Sequence, residues 1–411
     1  MKYVLIIGDG MADFPMEALG GKTPLEAARK PVMDALAMRG VVGQARTVPI
    51  GVPPGSDTAI LSIFGFDPRK VYTGRSPLEA AGSGVKMEAG NVSFRCNLAA
   101  LSTDGASYQD QTMISHSGGA IDGKDAMALM QDLLADPGFA ALSQRAGMRF
   151  TINPSYRHIA VLDAGSSEVS LTPPHDILGQ RIAAYLPKGA GDRMLLTLME
   201  ASFAFLNAHP INRERVRRGL PAANSLWFWG QGSAVVLESF EKLFGHTGDV
   251  ITAVPLVKGI AELAGLRHTD VEGANGELDT NYQGKVDAAL RALEKDDFAA
   301  IHIEAPDEMS HAGDLEKKLQ AIALIDEKVL APLLVGLDKT KERYRLLILS
   351  DHYTPISTRT HDGTPVPFLL YDSKVNTARN LPYGETNAAQ GGLMEDGTNL
   401  MRLLFQLEPK R

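Results

Sequence analysis

Apolar residues along this chain follow two rhythms. Largely apolar runs at Tyr3-Val-Leu-Ile-Ile7, Val250-Ile-Thr-Ala-Val-Pro-Leu-Val257, Phe298-Ala-Ala-Ile-His-Ile303, Arg345-Leu-Leu-Ile-Leu-Ser350 and Pro365 to Tyr371 have the length and composition of strands covered on both faces. Val41 to Val48 reads as a further strand. Elsewhere the spacing is helical. Leu25, Ala28, Val32, Leu36 and Met38 mark a helix over about Thr23 to Arg39, interrupted near Pro31. Gly259 to Leu266, Asp287 to Glu294, a long amphipathic Leu315 to Leu334 and a Leu- and Met-rich Leu400 to Leu407 follow the same rule. Alternation of strand and helix at both ends predicts an α/β fold in which the first and last thirds of the chain build one sheet flanked by helices.

The middle of the chain differs. Tyr72 to Gly82 reads as a turn-rich junction, and from about Gly84 to Trp229 short strands (Val92 to Leu98, His158 to Leu162) mix with helices (Asp125 to Leu134, Met194 to Ala208). This predicts an inserted α+β domain over 72–232, with the core split into 1–71 and 233–411; at 411 residues, two domains or more are expected. Arg213, Arg215, Arg217 and Arg218 read either as a solvated helix face or as an anion-gripping surface.

Composition narrows the partners. With 44% apolar and 22% charged residues the chain has material for a large core, and its net charge of −8 argues against broad nucleic-acid binding. No apolar run approaches the roughly 18 residues of a membrane helix, and the N-terminal run ends too early, at Gly8-Asp9-Gly10, for a secretory signal. The single cysteine, Cys96, excludes an internal disulfide and reads as a small core residue, which fits a reducing cytoplasm. No oligomeric state follows from the residues.

Candidate chemistry lies at strand ends. Pro53, Pro54 and Gly55 stop the chain and a helix restarts at Ser56, with Ala59, Ile60, Ile63 and Phe64 at helical spacing. Ser56 or Asp57 can cap that helix, and a serine there sits where free N–H groups favour an anion. Asp9 follows the first strand, and Asp307 and His311 stand four residues apart after the Ile303 strand, on one face of a helical turn. Asp351, His352 and, further on, His361 follow the Leu349 strand. In a parallel sheet Asp9, Asp307, Asp351 and His352 emerge at one edge, where such sheets bind ligands. Oxygen and nitrogen donors without thiolate suit two divalent ions such as manganese, zinc, cobalt or magnesium. Such a pair would activate the Ser56 hydroxyl for phosphoryl transfer.

The segments Ile6-Ile-Gly-Asp-Gly-Met11, Pro53-Pro-Gly-Ser-Asp57, Gly74-Arg-Ser-Pro-Leu-Glu-Ala-Ala81, Glu304-Ala-Pro-Asp-Glu308 with His311, and Ser350-Asp-His352 with His361 resemble the archaeal-type cofactor-independent phosphoglycerate mutases of the alkaline phosphatase superfamily. The resemblance runs over nearly the whole chain. It implies an alkaline-phosphatase-like core holding two metal ions, manganese foremost, and an inserted domain that grips a small phosphorylated substrate. Asp9, Ser56, Asp351 and His352 would match the ligands of one ion, and Asp307, His311 and His361 those of the other. Ser56 would take phosphate from 3-phosphoglycerate and return it to the 2-hydroxyl without bisphosphoglycerate. Arg157, Lys258, Arg75 and His116 would bind substrate. One departure stands out: Ser117-Gly-Gly-Ala-Ile121 carries Ala120 where the family commonly has a basic residue, with His116 just upstream. Related chains have been proposed as homoserine kinases, a reading weakened here by the lack of a Gly-x-x-x-x-Gly-Lys-(Ser/Thr) loop. The same serine chemistry in an open site would make a phosphatase. A catalytically silent scaffold would have no need of the complete ligand set.

Overall fold

The computed structural model describes residues 1–377 and 380–409. Strands β1 (Lys2–Gly8), β2 (Val41–Ala45), β3 (Gly248–Ile251), β4 (Arg267–Thr269), β5 (Phe298–Ile303), β6 (Tyr344–Leu349), β7 (Val366–Asp372) and β8 (Leu393–Met394) form one sheet in the order β4-β3-β5-β1-β6-β7-β2-β8. β1 lies between β5 and β6 and parallel to both, with Ile7 opposite His302 on one side and Leu349 on the other. β7 runs antiparallel to both its neighbours. Val4, Leu5, Ile6, Leu346, Leu347 and Ile348 are fully buried, because helices cover both faces of the sheet and leave no polar side for alternation. Among the described residues no helix is long and apolar enough to cross a membrane.

Several elements differ from the expectation. Val250 to Val257 is not one strand: β3 ends at Ile251 and Pro255 opens the helix Pro255–Leu263, so Lys258 lies near its start. Proline at a first helical position lacks only an N–H that would go unused there. The strand read over Val41 to Val48 stops at Ala45, and the junction after Tyr72 contains a helix, Arg75–Gly82. The long helix from Leu315 reaches Thr340 but passes through a π-helical turn, Ile325–Leu330. That turn carries Asp326, whose carboxylate accepts hydrogen bonds from the N–H groups of Val32 (3.1 Å) and Met33 (2.6 Å). It thereby caps the helix Pro31–Arg39, whose own N-cap, Lys30, offers no acceptor.

The chain divides into two compact units, Met1–Tyr72 with Val236–Arg411, and Thr73–Val235. The second has its own antiparallel sheet, in which Val92–Leu101 is flanked by Arg157–Leu162 and Ser225–Ser233. Helices Gly123–Ala135, Pro137–Ala146 and Asp192–Asn207 supply Leu129, Leu133, Phe139, Leu195 and Leu198 to a core shared with Phe94, Cys96, Trp227 and Phe228. The four arginines after Asn212 divide between roles. Arg215 is buried and donates to the carbonyls of Pro221 (3.1 Å) and Gly118 (2.5 Å), while Arg217 pairs with Glu214 at the surface.

Candidate active site

Ser56 occupies the first position of the helix Ser56–Ile63, with Gly55 as its N-cap, so neither Ser56 nor Asp57 caps the helix as expected. The Asp57 carboxylate accepts instead from the N–H of Thr58 (2.9 Å) and from the Tyr72 hydroxyl (2.5 Å). The Ser56 side chain is thereby left for the site. Its Oγ lies 3.2 Å from His352 Nε2 and 3.5 Å from Asp9 Oδ2.

Parallel β1, β5 and β6 end side by side, which brings their C-terminal residues together. Asp9 follows β1, Asp351 and His352 follow β6, and Asp307 stands in the helix Ala305–Ala312 just after β5. Asp351 and His352 have no exposed surface, and Asp9 is 2% exposed. His352 Nε2 is 3.3 Å from Asp351 Oδ2 and 3.5 Å from Asp9 Oδ1. On the other side of Asp307, His311 Nε2 lies 3.1 Å from Asp307 Oδ2 and 3.1 Å from His361 Nε2. His311 Nδ1 is 2.9 Å from the Arg359 carbonyl, a contact in which it donates and which leaves Nε2 facing the cluster. Two groups with convergent donor atoms result, Asp307 with His311 and His361, and Asp9 with Asp307 and His352. Asp307 belongs to both. Gly10, at a φ of 59°, allows the close approach: a Cβ there would lie 2.6 Å from Asp307 Oδ1.

The electrostatics fit cations. Burial, then the charges of Asp351 and Asp307, push the Asp9 carboxyl well above the usual carboxylate range. Burial acts on Asp307 in the same direction, yet hydrogen bonds from His311 and His361 outweigh it and hold its carboxyl well below that range. The same contact with Asp307 raises His311 to about 9. Asp9 Oδ1 and Asp351 Oδ2 are buried without a hydrogen-bond partner. Buried carboxylate oxygens without donors, next to like charges, are costly unless a cation neutralises them, and this oxygen and nitrogen donor set suits a divalent ion.

Sequence reading passed over His302, an imidazole inside the apolar run of β5. Its Nε2 lies 3.0 Å from Asp9 Oδ2 and its Nδ1 3.2 Å from Thr252 Oγ1, and the buried Lys285 donates to its carbonyl at 2.9 Å. A histidine interrupting a buried strand was the available signal. Lys258 pairs with Asp270.

The remaining expected substrate residues lie in the Thr73–Val235 unit. Arg75 and the buried Arg95 both reach Glu79 at 2.9 Å, and the Arg95 guanidinium lies 4.0 Å over the Trp229 ring. His175 packs on Trp229 (5.2 Å) and on His116 (6.1 Å), His116 on Tyr156 (5.8 Å), and Arg157 lies over Tyr156 at 5.0 Å. Arg75, His116 and Arg157 thus join one cationic and aromatic cluster, to which Arg95, His175 and Trp229 also belong. Ala120 is exposed and left-handed at a φ of 50°, in a turn whose Gly118 carbonyl Arg215 holds.

A mostly parallel sheet with a serine, carboxylates and imidazoles gathered at the carboxyl ends of its strands defines an α/β enzyme with a divalent-metal centre. Known proteins narrow the class. The sequence profile described as 2,3-bisphosphoglycerate-independent phosphoglycerate mutase matches residues 37–212. A probable 2,3-bisphosphoglycerate-independent phosphoglycerate mutase of Geobacter sulfurreducens is 46% identical over 408 residues, covering 98% of this chain and 100% of that protein. The Methanothrix thermoacetophila protein of that description is 46% identical over 406 residues, with coverage of 98% and 100%. Among solved structures, a Pyrococcus horikoshii protein aligns with a TM-score of 0.80 at 28% identity, covering 100% of this chain and 98% of that one. The cofactor-independent phosphoglycerate mutase of Thermoplasma acidophilum aligns at 0.64 and 25% identity, covering 99% of each. The chain belongs to the 2,3-bisphosphoglycerate-independent phosphoglycerate mutase family.

Proposed function

We propose that this chain interconverts 3-phosphoglycerate and 2-phosphoglycerate, without 2,3-bisphosphoglycerate, by phosphoryl transfer through Ser56. The observation that carries the reading is the placement of Ser56 Oγ at a helix N-terminus, 3.2 Å from His352 Nε2. Asp9, Ser56, Asp351 and His352 would hold one divalent ion and Asp307, His311 and His361 the other, with manganese foremost and zinc, cobalt or magnesium chemically compatible. When bound, such ions supply Lewis-acid stabilisation of phosphoryl oxygens and a lower pKa for the serine hydroxyl.

The chain's own groups do the rest. Ser56 Oγ gives up its proton and attacks phosphorus in line; an Oγ–P bond forms as the bond to the C3 oxygen breaks, and that oxygen takes a proton. The glycerate turns, its 2-hydroxyl gives up its proton and attacks the phosphorus of the phosphoserine, and a bond from the C2 oxygen to phosphorus forms as the bond to Ser56 Oγ breaks and Oγ takes a proton back. Free N–H groups in the first turn of the Ser56–Ile63 helix favour the phosphoryl charge throughout. Arg157, Arg75, His116 and Lys258 are assigned to the substrate's anionic groups, and Arg95 and His175, which belong to the cluster of Arg75, His116 and Arg157, join them.

The test is conversion of 3-phosphoglycerate by metal-stripped protein resupplied with manganese, with neither bisphosphoglycerate nor nucleotide present. Turnover that chelator abolishes, and that Ser56→Ala removes while the variant stays folded and keeps at least one ion, is the expected result. Mutase activity retained in Ser56→Ala would sink the phosphoserine route. Free phosphate as the product, or ATP consumed with homoserine, would move the chain to a phosphatase or kinase reaction.

A further inference from the structure

Between the two groups of candidate ligands stands a residue with no assigned role. Thr354 is fully buried, and its hydroxyl touches one member of each group: Oγ1 lies 2.6 Å from Asp307 Oδ1 and 3.1 Å from His352 Nδ1. A hydroxyl has one proton to give. The short contact to a carboxylate oxygen, which can only accept, takes that proton. The contact to His352 therefore runs the other way, with Nδ1–H donating to Oγ1. His352 then carries a proton on Nδ1, which leaves Nε2, the atom that faces Ser56 Oγ at 3.2 Å, as its ligand nitrogen.

The threonine is itself held in place. The buried Lys318 ammonium donates to the Thr354 carbonyl at 2.9 Å while paired with Asp13 at 2.8 Å, and the Thr354 N–H reaches the Ala12 carbonyl at 3.3 Å. Gly10 closes the other side, since a Cβ there would meet Thr354 Oγ1 at 2.6 Å.

We propose that Thr354 is a positioning residue that fixes the metal-binding tautomer of His352 and couples it to Asp307, so that a single hydroxyl orients ligands of both ions. The inference rests on the two-metal reading of the site for its consequence but not for its geometry.

Two measurements test it. In metal-free protein labelled with 15N-histidine, long-range proton–nitrogen correlation should show His352, identified by its loss in His352→Gln, protonated at Nδ1. An Nδ1 without a proton overturns the proposal. In manganese titrations followed by electron paramagnetic resonance, Thr354→Val should weaken both ions by roughly ten- to a hundredfold, the usual effect of removing an outer-shell partner. Thr354→Ser, which restores the hydroxyl, should recover the affinity. Unchanged binding in the valine variant, or loss at one ion alone, overturns it. If Thr354→Val does not fold, the tautomer in the wild-type protein decides. If the wild-type protein binds no manganese, the two-metal reading fails, and the tautomer still reports on Thr354.

Discussion

Asp307 meets imidazoles on both sides, and its two flanks differ in what they expose: His352 is sealed, whereas His311 and His361 are part-exposed. Removing His361 should therefore weaken one ion and spare the other. Manganese titration of His361→Ala should show one site lost and one retained; equal weakening of both would overturn the assignment of ligands. A second residue makes stability depend on acid. His158 is buried in the Arg157–Leu162 strand, its Nδ1 accepts from the Asn153 N–H at 3.1 Å, and burial lowers its pKa from 6.5 to about 4. Between those values the unfolded chain binds more protons than the folded one, so stability rises with pH across the window and is lost as pH falls from 6.5 toward 4. The loss should be on the order of 2 kcal/mol between pH 7 and pH 5. Urea unfolding should show the loss smaller by that amount in His158→Asn, whose side-chain oxygen can take over the acceptor, than in wild type. At this scale the candidate ligands were legible because carboxylates and imidazoles are conspicuous after apolar runs. His302 and Thr354 were not, because a residue that orients another declares itself only through its contacts.

Among the elements, the π turn at Ile325–Leu330 shows where periodicity stops being informative. The apolar spacing from Leu315 onward is helical throughout, and one inserted residue per turn does not erase it. What the turn does is aim Asp326 at another helix. Asp326→Ala should cost about 1–3 kcal/mol, because the buried N–H of Met33 and the part-buried N–H of Val32 lose their acceptor, and equilibrium unfolding in urea would measure it. Strand β5 was readable to the residue, since nothing in Phe298–Ile303 competes with a strand. β3 was not: Val250 to Val257 is apolar but for Thr252, and the decisive feature was Pro255, which starts a helix more readily than it sits in a central strand. The Arg75–Gly82 helix was hidden by Gly74 and Pro77, residues that signal turns but also suit a helix's first turn.

For the whole molecule, stability should be tied to metal through mass action. A site assembled from residues as distant in sequence as Asp9 and His352 does not exist in the unfolded chain, so each ion at a hundredfold its dissociation constant adds about 2.7 kcal/mol. Calorimetry should show the melting temperature rise with manganese and fall with chelator, and Gly10→Ala, which drives a methyl group into Asp307 and Thr354, should lose most of that gain. The sheet's connectivity has a further consequence during synthesis. β1 is made before the Thr73–Val235 unit, whose own strands pair among themselves, and both its partners, β5 and β6, come after that unit. That unit can finish folding on the ribosome. At about 5–20 residues per second the strand Lys2–Gly8 must then wait tens of seconds for a neighbour, an apolar ribbon with unsatisfied backbone on both edges. The cell that makes this protein must keep that strand shielded until Tyr344–Leu349 emerges.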